Sequence, residues 1–176
     1  MIKEKNLGGW AIDKECFDKI LEILPTGSTI LEFGSGSGSN ELSKYYTVYS
    51  VEHDINWMHK YNTKYIYAPL KPLKQNISIN WYDVEVLKQK MPRDYNLILI
   101  DGPPSSSSKG GNGRMGFIYN LNLFDVENTI IIFDDLHREK DYENMMLFVN
   151  KTNRKFEIIN SGTDKPKKFA VVYPNK

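Results

Sequence analysis

The feature that most constrains the fold is Ile30-Leu31-Glu32-Phe33 running straight into Gly34-Ser35-Gly36-Ser37-Gly38-Ser39. The apolar run from Thr29 to Phe33 reads as a buried strand, and it dissolves into alternating glycine and serine where a helix should begin. Glycines at such a turn permit positive φ and let a ligand reach the backbone. The first N–H groups of the following helix then offer donors to an anionic group. A Gly/Ser surface loop without a ligand is the alternative, but a linker does not normally follow a buried strand directly. The spelling narrows the ligand further. A dinucleotide-binding turn wants glycine at its first, third and sixth places, whereas here the glycines fall at 34, 36 and 38 and Ser39 holds the sixth place.

A carboxylate also stands two residues ahead of the first glycine, giving Glu32-x-Gly34-x-Gly36-x-Gly38. This pattern resembles motif I of the class I S-adenosylmethionine-dependent methyltransferases. The resemblance implies a Rossmann-like α/β fold: a mostly parallel seven-stranded sheet with a C-terminal antiparallel strand and helices on both faces. It also implies that Glu32 meets the methionine end of the cofactor, with Gly34, Ser35, Gly36, Gly38 and Ser39 around it. Thr47 to Glu52 reads as a second strand ending in an acid. In a nucleoside-binding α/β unit, a carboxylate at that tip can accept both ribose hydroxyls. Glu52 is therefore the expected ribose residue, with His53 beside it, although a glutamate at a strand end is often only a solvated side chain.

Ile12, Cys16, Phe17, Ile20, Leu21 and Leu24 recur at helical spacing and predict a helix on the sheet, stopped by Pro25-Thr26-Gly27. Cys16, the only cysteine, lies on its apolar face as a small hydrophobe rather than a nucleophile. Trp10 reads as a core anchor or as a flap over the cofactor. Short helices are expected near 39–45 and 54–61, and 64–72 has no assigned structure. Asn76 to Tyr82 alternates polar and apolar side chains, which predicts a third strand followed by Asp83. In the resembled family the residue after this strand often accepts from the adenine amino group, so Asp83 is that candidate. Trp81 or Tyr82 would flank the purine or belong to the core.

Tyr95 to Asp101 is the clearest buried strand after the first, and it places Asp101 at the carboxyl edge of the sheet, where open α/β folds bind ligands. Ser105 to Gly116 is rich in serine and glycine and reads as a mobile loop, either an idle linker or a lid. A helix over Met115–Phe124, a strand over Thr129–Phe133 and a helix marked by Tyr142, Met145, Met146 and Val149 follow. Phe156–Asn160 and Phe169–Tyr173 are joined by too few residues for a crossover helix, so this last pair should be antiparallel.

Asp101 ends one strand and Asp134 with Asp135 ends the next, which would gather three carboxylates on one edge. Such charges repel unless neutralised, and hard oxygen donors suit a divalent cation such as Mg²⁺ or Mn²⁺. The alternative is structural: Asp135 as a helix cap and Asp101 as a turn holder. The arrangement resembles the metal site of catechol-type O-methyltransferases. Residues 97 to 148 add Asp101-Gly102-Pro103, Gly113-Arg114-Met115 with Ile118-Tyr119, and Asp135-x-His137-Arg138 with Glu139. This series is similar to the plant glucuronoxylan 4-O-methyltransferases, as is the acidic segment Val51 to Trp57. That resemblance implies methylation of a sugar hydroxyl, with Asp101, His137 and Arg114 as catalytic candidates. His137 would take the proton or stand with Arg138 as a surface helix residue, and Arg114 or Arg138 would read an acid on the acceptor.

At 176 residues and 40% hydrophobic content the chain fits one domain over its whole length. It leaves little room for a separate substrate cap, so loops or a second subunit of a homo-oligomer would complete the acceptor site. Lysine and arginine number 23 against 22 acids, so no global field favours nucleic acid or a membrane. The N-terminus lacks an apolar signal core and no span-length apolar run exists, which predicts a cytoplasmic chain. The leading expectation is an O-methyltransferase on a small-molecule or saccharide hydroxyl. An N-methyltransferase acting on nucleic acid or protein is the second: its Asp/Asn-Pro-Pro-aromatic spelling is interrupted here by Gly102 and lacks the aromatic at Ser105. A cofactor-binding subunit of a larger complex is the third.

Overall fold

The computed structural model describes residues 12–162 and 166–175. Trp10, and with it the choice between anchor and flap, lies outside the described residues. The elements in order are α1 (Lys14–Ile23), β1 (Thr29–Phe33), α2 (Ser37–Leu42), β2 (Thr47–Glu52), β3 (Lys64–Tyr67), β4 (Leu70–Pro72), β5 (Asn80–Tyr82), α3 (Val84–Lys90), β6 (Leu97–Ile100), α4 (Met115–Tyr119), β7 (Ile130–Phe133), α5 (Glu139–Thr152), β8 (Phe156–Ser161) and β9 (Lys167–Val172). Seven strands form one sheet in the order β3-β2-β1-β6-β7-β9-β8. The first five are parallel, and β9 runs antiparallel to both of its neighbours. Strand order reverses at β1, which puts the ligand crevice outside the carboxyl ends of β1 and β6.

Strands buried on both faces read as unbroken apolar runs, and β1, β6 and β7 do so because each side of the sheet is covered. Leu31, Phe33, Ile98, Ile100, Ile131 and Phe133 face a layer built from Trp81, Phe117 and Phe148. Ile30, Leu97, Leu99 and Ile132 face the other way, onto Cys16, Phe17 and Ile20 of α1. Cys16 is completely buried, as its helical position predicts. Among the described residues no helix is long and apolar enough to cross a membrane.

The sheet has seven strands as expected, but one member differs from the sequence reading. The strand beside β2 is Lys64–Tyr67, in a stretch without an assignment. The expected third strand shortens to Asn80–Tyr82 and pairs antiparallel with Leu70–Pro72 in a separate two-stranded sheet. The physical reason is that β3 is an edge strand with only Ile66 buried, so it carries almost no apolar signal. Alternation marks β5 as strand-like but says nothing about its partner.

Other boundaries also shift. The helix expected over 54–61 is a single 3₁₀ turn, Ile55–Trp57. The one expected to reach Phe124 ends at Tyr119, with a 3₁₀ turn at Leu121–Leu123. In α5, Tyr142 is exposed, while Asp141 and Asn144 are buried with Met145, Phe148 and Val149. The serine- and glycine-rich stretch is fastened rather than free. It forms turns at Ser105–Ser107 and Lys109–Gly111, and Asn80 holds it: its backbone N–H donates to Ser108 Oγ at 2.6 Å and its side-chain amide donates to the Ser107 carbonyl at 2.7 Å.

Candidate active site

Four turns meet at the carboxyl edge of the sheet, after β1, β2, β6 and β7. The first and third touch through their glycines. Gly34 has φ +88°, and a Cβ on Gly102 would stand 3.0 Å from the Gly34 backbone and 2.4 Å from Tyr82 Oη. Only glycine permits that approach, and it brings Asp101 beside the glycine turn. Between the turns lies a cavity of about 390 Å³. Gly34, Ser35, Glu52, His53 and Asp101 line one part of it, and Arg114, Asp134, Asp135, Arg138 and Lys167 the other.

Glu52 is 4% exposed and fully engaged. One oxygen accepts from the backbone N–H of His53 (2.8 Å) and Asp54 (3.2 Å), and the other from Ser35 N (3.2 Å) and Ser35 Oγ (2.9 Å). Burial alone would push its carboxyl up, but the hydrogen bonds from His53, Asp54 and Ser35 outweigh burial and hold it below the usual range. Glu52 therefore stays ionised at neutral pH in a fixed orientation at the cavity wall.

Glu32 sits below this layer. It lines a recess of about 10 Å³ together with Gly36, Gly38, Ser39 and Asp101 rather than the large cavity. Burial pushes its pKa up to about 7 against the hydrogen bonds of Ser39 and Ser50. Asp83 lines neither space: its carboxylate accepts from Glu85 N–H at the start of α3 and pairs with Lys71 at 2.6 Å. Trp81 is core, packed on Phe33 at 5.2 Å, whereas Tyr82 reaches the cavity and its buried hydroxyl has no partner within the protein. His137 is exposed and does not line the cavity.

The three aspartates do converge. Asp101, Asp134 and Asp135 each present an oxygen, and these atoms lie within 4.8 Å of one another. Arg114, expected on a mobile loop, is instead 5% exposed in their midst. It donates to the Asp101 and Asp134 carbonyls and to Asp135 Oδ2 at 2.8 Å. Arg138 also reaches Asp135 Oδ2, at 2.9 Å, with its side chain 43% exposed. A fourth carboxylate, Asp141, lies 3.8 Å from both guanidiniums.

This cluster is short of positive charge: four carboxylates face two guanidiniums. Burial and the charge of Asp134 push Asp101 well up despite Arg114. Burial and Asp135 push Asp134 up to about 6, while Arg114 and Arg138 overcome burial at Asp135 and hold it down. A divalent cation would close the balance, and the donor set of carboxylate oxygens fits a hard one. Asp141, beside the two guanidiniums, and Lys167, on the cavity wall, are candidate site residues that no sequence motif marks. The only signal for Asp141 was an acid on the apolar face of α5.

No family model and no curated protein matches the chain. Solved structures do. An O-methyltransferase from Bacillus cereus in complex with SAH is similar at TM-score 0.59 and 14% identity, covering 97% of this chain and 85% of that one. The O-methyltransferase TomG from Streptomyces achromogenes, in complex with SAM, is similar at TM-score 0.58 and 11% identity over 95% of this chain and 82% of that one. The tRNA methyltransferase TrmK of B. subtilis is similar at TM-score 0.58 and 10% identity over 95% of this chain and 68% of that one. Sheet order, the antiparallel β9 and these likenesses together give the chain the Rossmann-like fold of the class I S-adenosylmethionine-dependent methyltransferases.

Proposed function

We propose that the chain is an S-adenosylmethionine-dependent O-methyltransferase, assisted by a divalent cation, whose acceptor is the hydroxyl of a sugar or another small molecule bearing an acid. The observation that carries this reading is the opening of one cavity onto both the Glu52 ribose site and the aspartate cluster. Glu52 would hold the ribose hydroxyls, one of them taking the place of the rotatable Ser35 hydroxyl on Oε2, and the backbone of the turn from Gly34 to Ser35 would lie against the cofactor. Bound there, S-adenosylmethionine supplies an electrophilic methyl group whose bonding electrons stay on sulfur when it is transferred.

Asp101, Asp134 and Asp135 would hold the cation, which supplies a positive charge that lowers the pKa of an acceptor hydroxyl. With the cation bound, one of these carboxylates would take the hydroxyl proton, since His137 lies outside the cavity. Arg114 keeps the carboxylates together and is too buried to read an acceptor. Arg138, half exposed at the same cavity, takes over the acid-reading role.

The test is a methyl-transfer screen against uronic acids, neutral sugars, catechols and RNA, each with and without Mg²⁺ or Mn²⁺. Cation-dependent transfer to a hydroxyl supports the reading. Transfer only to RNA would replace it with the N-methyltransferase reading, which the likeness to TrmK keeps in the comparison.

A further inference from the structure

Lys167 opens β9 and lines the cavity, although nothing in its sequence surroundings marks it as a site residue. The strand is antiparallel to β7, so its first residues arrive beside the turn that leaves β7. The contact is direct: Leu136 N–H donates to the Lys168 carbonyl at 2.7 Å. Lys167 and Arg138 both line the cavity, as do Asp134 and Asp135.

The ammonium group is not aimed at those aspartates. It pairs with Asp13 Oδ1 at 3.2 Å, at the entry to α1. Asp13 is anchored independently, since its other oxygen accepts from Ser161 Oγ at 2.8 Å. The lysine side chain is 37% exposed and the aspartate 18%. One partner is thus fixed, and the other is a long, flexible cation beside the cavity. A single half-buried ion pair on a long, flexible side chain can exchange for another anion.

We propose that Lys167 is a specificity-determining residue: it leaves Asp13 to bind the acid group of the acceptor together with Arg138. The proposal rests on the O-methyltransferase reading for its acceptor, and it adds a residue and a competition that the reading does not contain. Asp13 acts as the resting partner of the lysine, so acceptor acid and Asp13 compete for one ammonium group. The structural alternative is an ion pair that merely fastens β9 to α1. Under that alternative, removing either partner has the same effect.

The experiment uses that difference. Binding of the methyl glycosides of glucuronic acid and glucose is measured by calorimetry on the SAH-saturated full chain, for the native protein, Lys167→Met, Lys167→Arg and Asp13→Asn. Methyl transfer to both sugars is followed alongside. Lys167→Met should lower the preference for the acid about tenfold, and Lys167→Arg should restore most of it. Asp13→Asn should tighten the acid a few-fold, roughly threefold, by removing the competitor. Shifts in the same direction for Lys167→Met and Asp13→Asn, no shift in either, or a native protein without preference for the acid would each overturn the proposal. If the acid binds in a Lys167-dependent way yet receives no methyl group, the O-methyltransferase reading fails and the assignment of Lys167 stands. If neutral sugars are methylated and Lys167 is indifferent, the reading stands and the assignment fails.

Discussion

Glu32 offers a quantitative check on the buried layer beneath the glycine turn. Its carboxyl is 2% exposed, accepts a hydrogen bond from Ser50 Oγ, and has its pKa pushed from 4.5 to about 7, chiefly by burial. A raised carboxylate pKa means the folded state binds the proton more tightly than the unfolded chain. Stability should therefore fall as pH rises from about 4.5 to about 7, and level off above that. Each tenfold change in proton affinity corresponds to about 1.4 kcal/mol, so a move from 4.5 to about 7 amounts to roughly 3 kcal/mol lost by pH 8. Glu32→Gln keeps the shape, can still accept from Ser50, and does not titrate. Urea unfolding of the apo protein and the variant at pH 5 and pH 8 isolates this one group, because every other titration is common to both. The variant should gain roughly 2.5 kcal/mol relative to the native chain between the two pH values, since a little of the full effect is already lost at pH 5. An unchanged difference would show that Glu32 is ionised in the fold and that its surroundings solvate it.

Four further outcomes are expected. Glu52→Ala should weaken SAH binding by about 1.5 to 3 kcal/mol in calorimetry, since it removes a charge-assisted acceptor; equal affinity would dismiss the ribose assignment. Mn²⁺ should raise the unfolding temperature, more at pH 8 than at pH 5 because Asp134 ionises near pH 6, and Asp101→Asn should abolish the effect. Excess EDTA should stop methyl transfer while leaving SAH binding intact, and full activity with the chelator would refute the cation's role. Gly102→Ala should impair SAH binding as well as stability, because its Cβ would be driven against Tyr82 Oη at 2.4 Å and would push the two glycine turns apart. A fully native affinity would mean that the close approach of the turns is unimportant.

What could be read from the residues follows from how locally each feature is encoded. β1, β6 and β7 are buried on both faces and announce themselves as apolar runs, and an acid or glycine directly after each run is placed at the ligand edge by chain geometry alone. Glu52 is legible for that reason, as are Asp101, Asp134 and Asp135. β3 is not, because an edge strand with one buried side chain has no period to detect. Asp83 follows a real strand, but that strand pairs with β4 instead of joining the main sheet, and its carboxylate is spent on α3 and Lys71.

Arg114 shows where local reading stops. Its serine- and glycine-rich surroundings point to a mobile cation, and its burial comes from charge brought together by elements distant in sequence: Asp101 after β6, Asp135 after β7 and Asp141 on α5. An arginine held by three carboxylates cannot also be the group that selects an incoming acid, because it would have to abandon buried partners to do so. On the proposed reading the selection would fall to cations that are themselves open to the cavity, Arg138 at 43% and Lys167 at 37% side-chain exposure against 6% for Arg114. Arg138 qualifies on its own element, and Lys167 qualifies only because β9 folds back antiparallel to lie beside the β7 turn. The same reversal of strand direction that distinguishes this sheet from an all-parallel one therefore supplies the cavity with a cation that no local motif could have indicated.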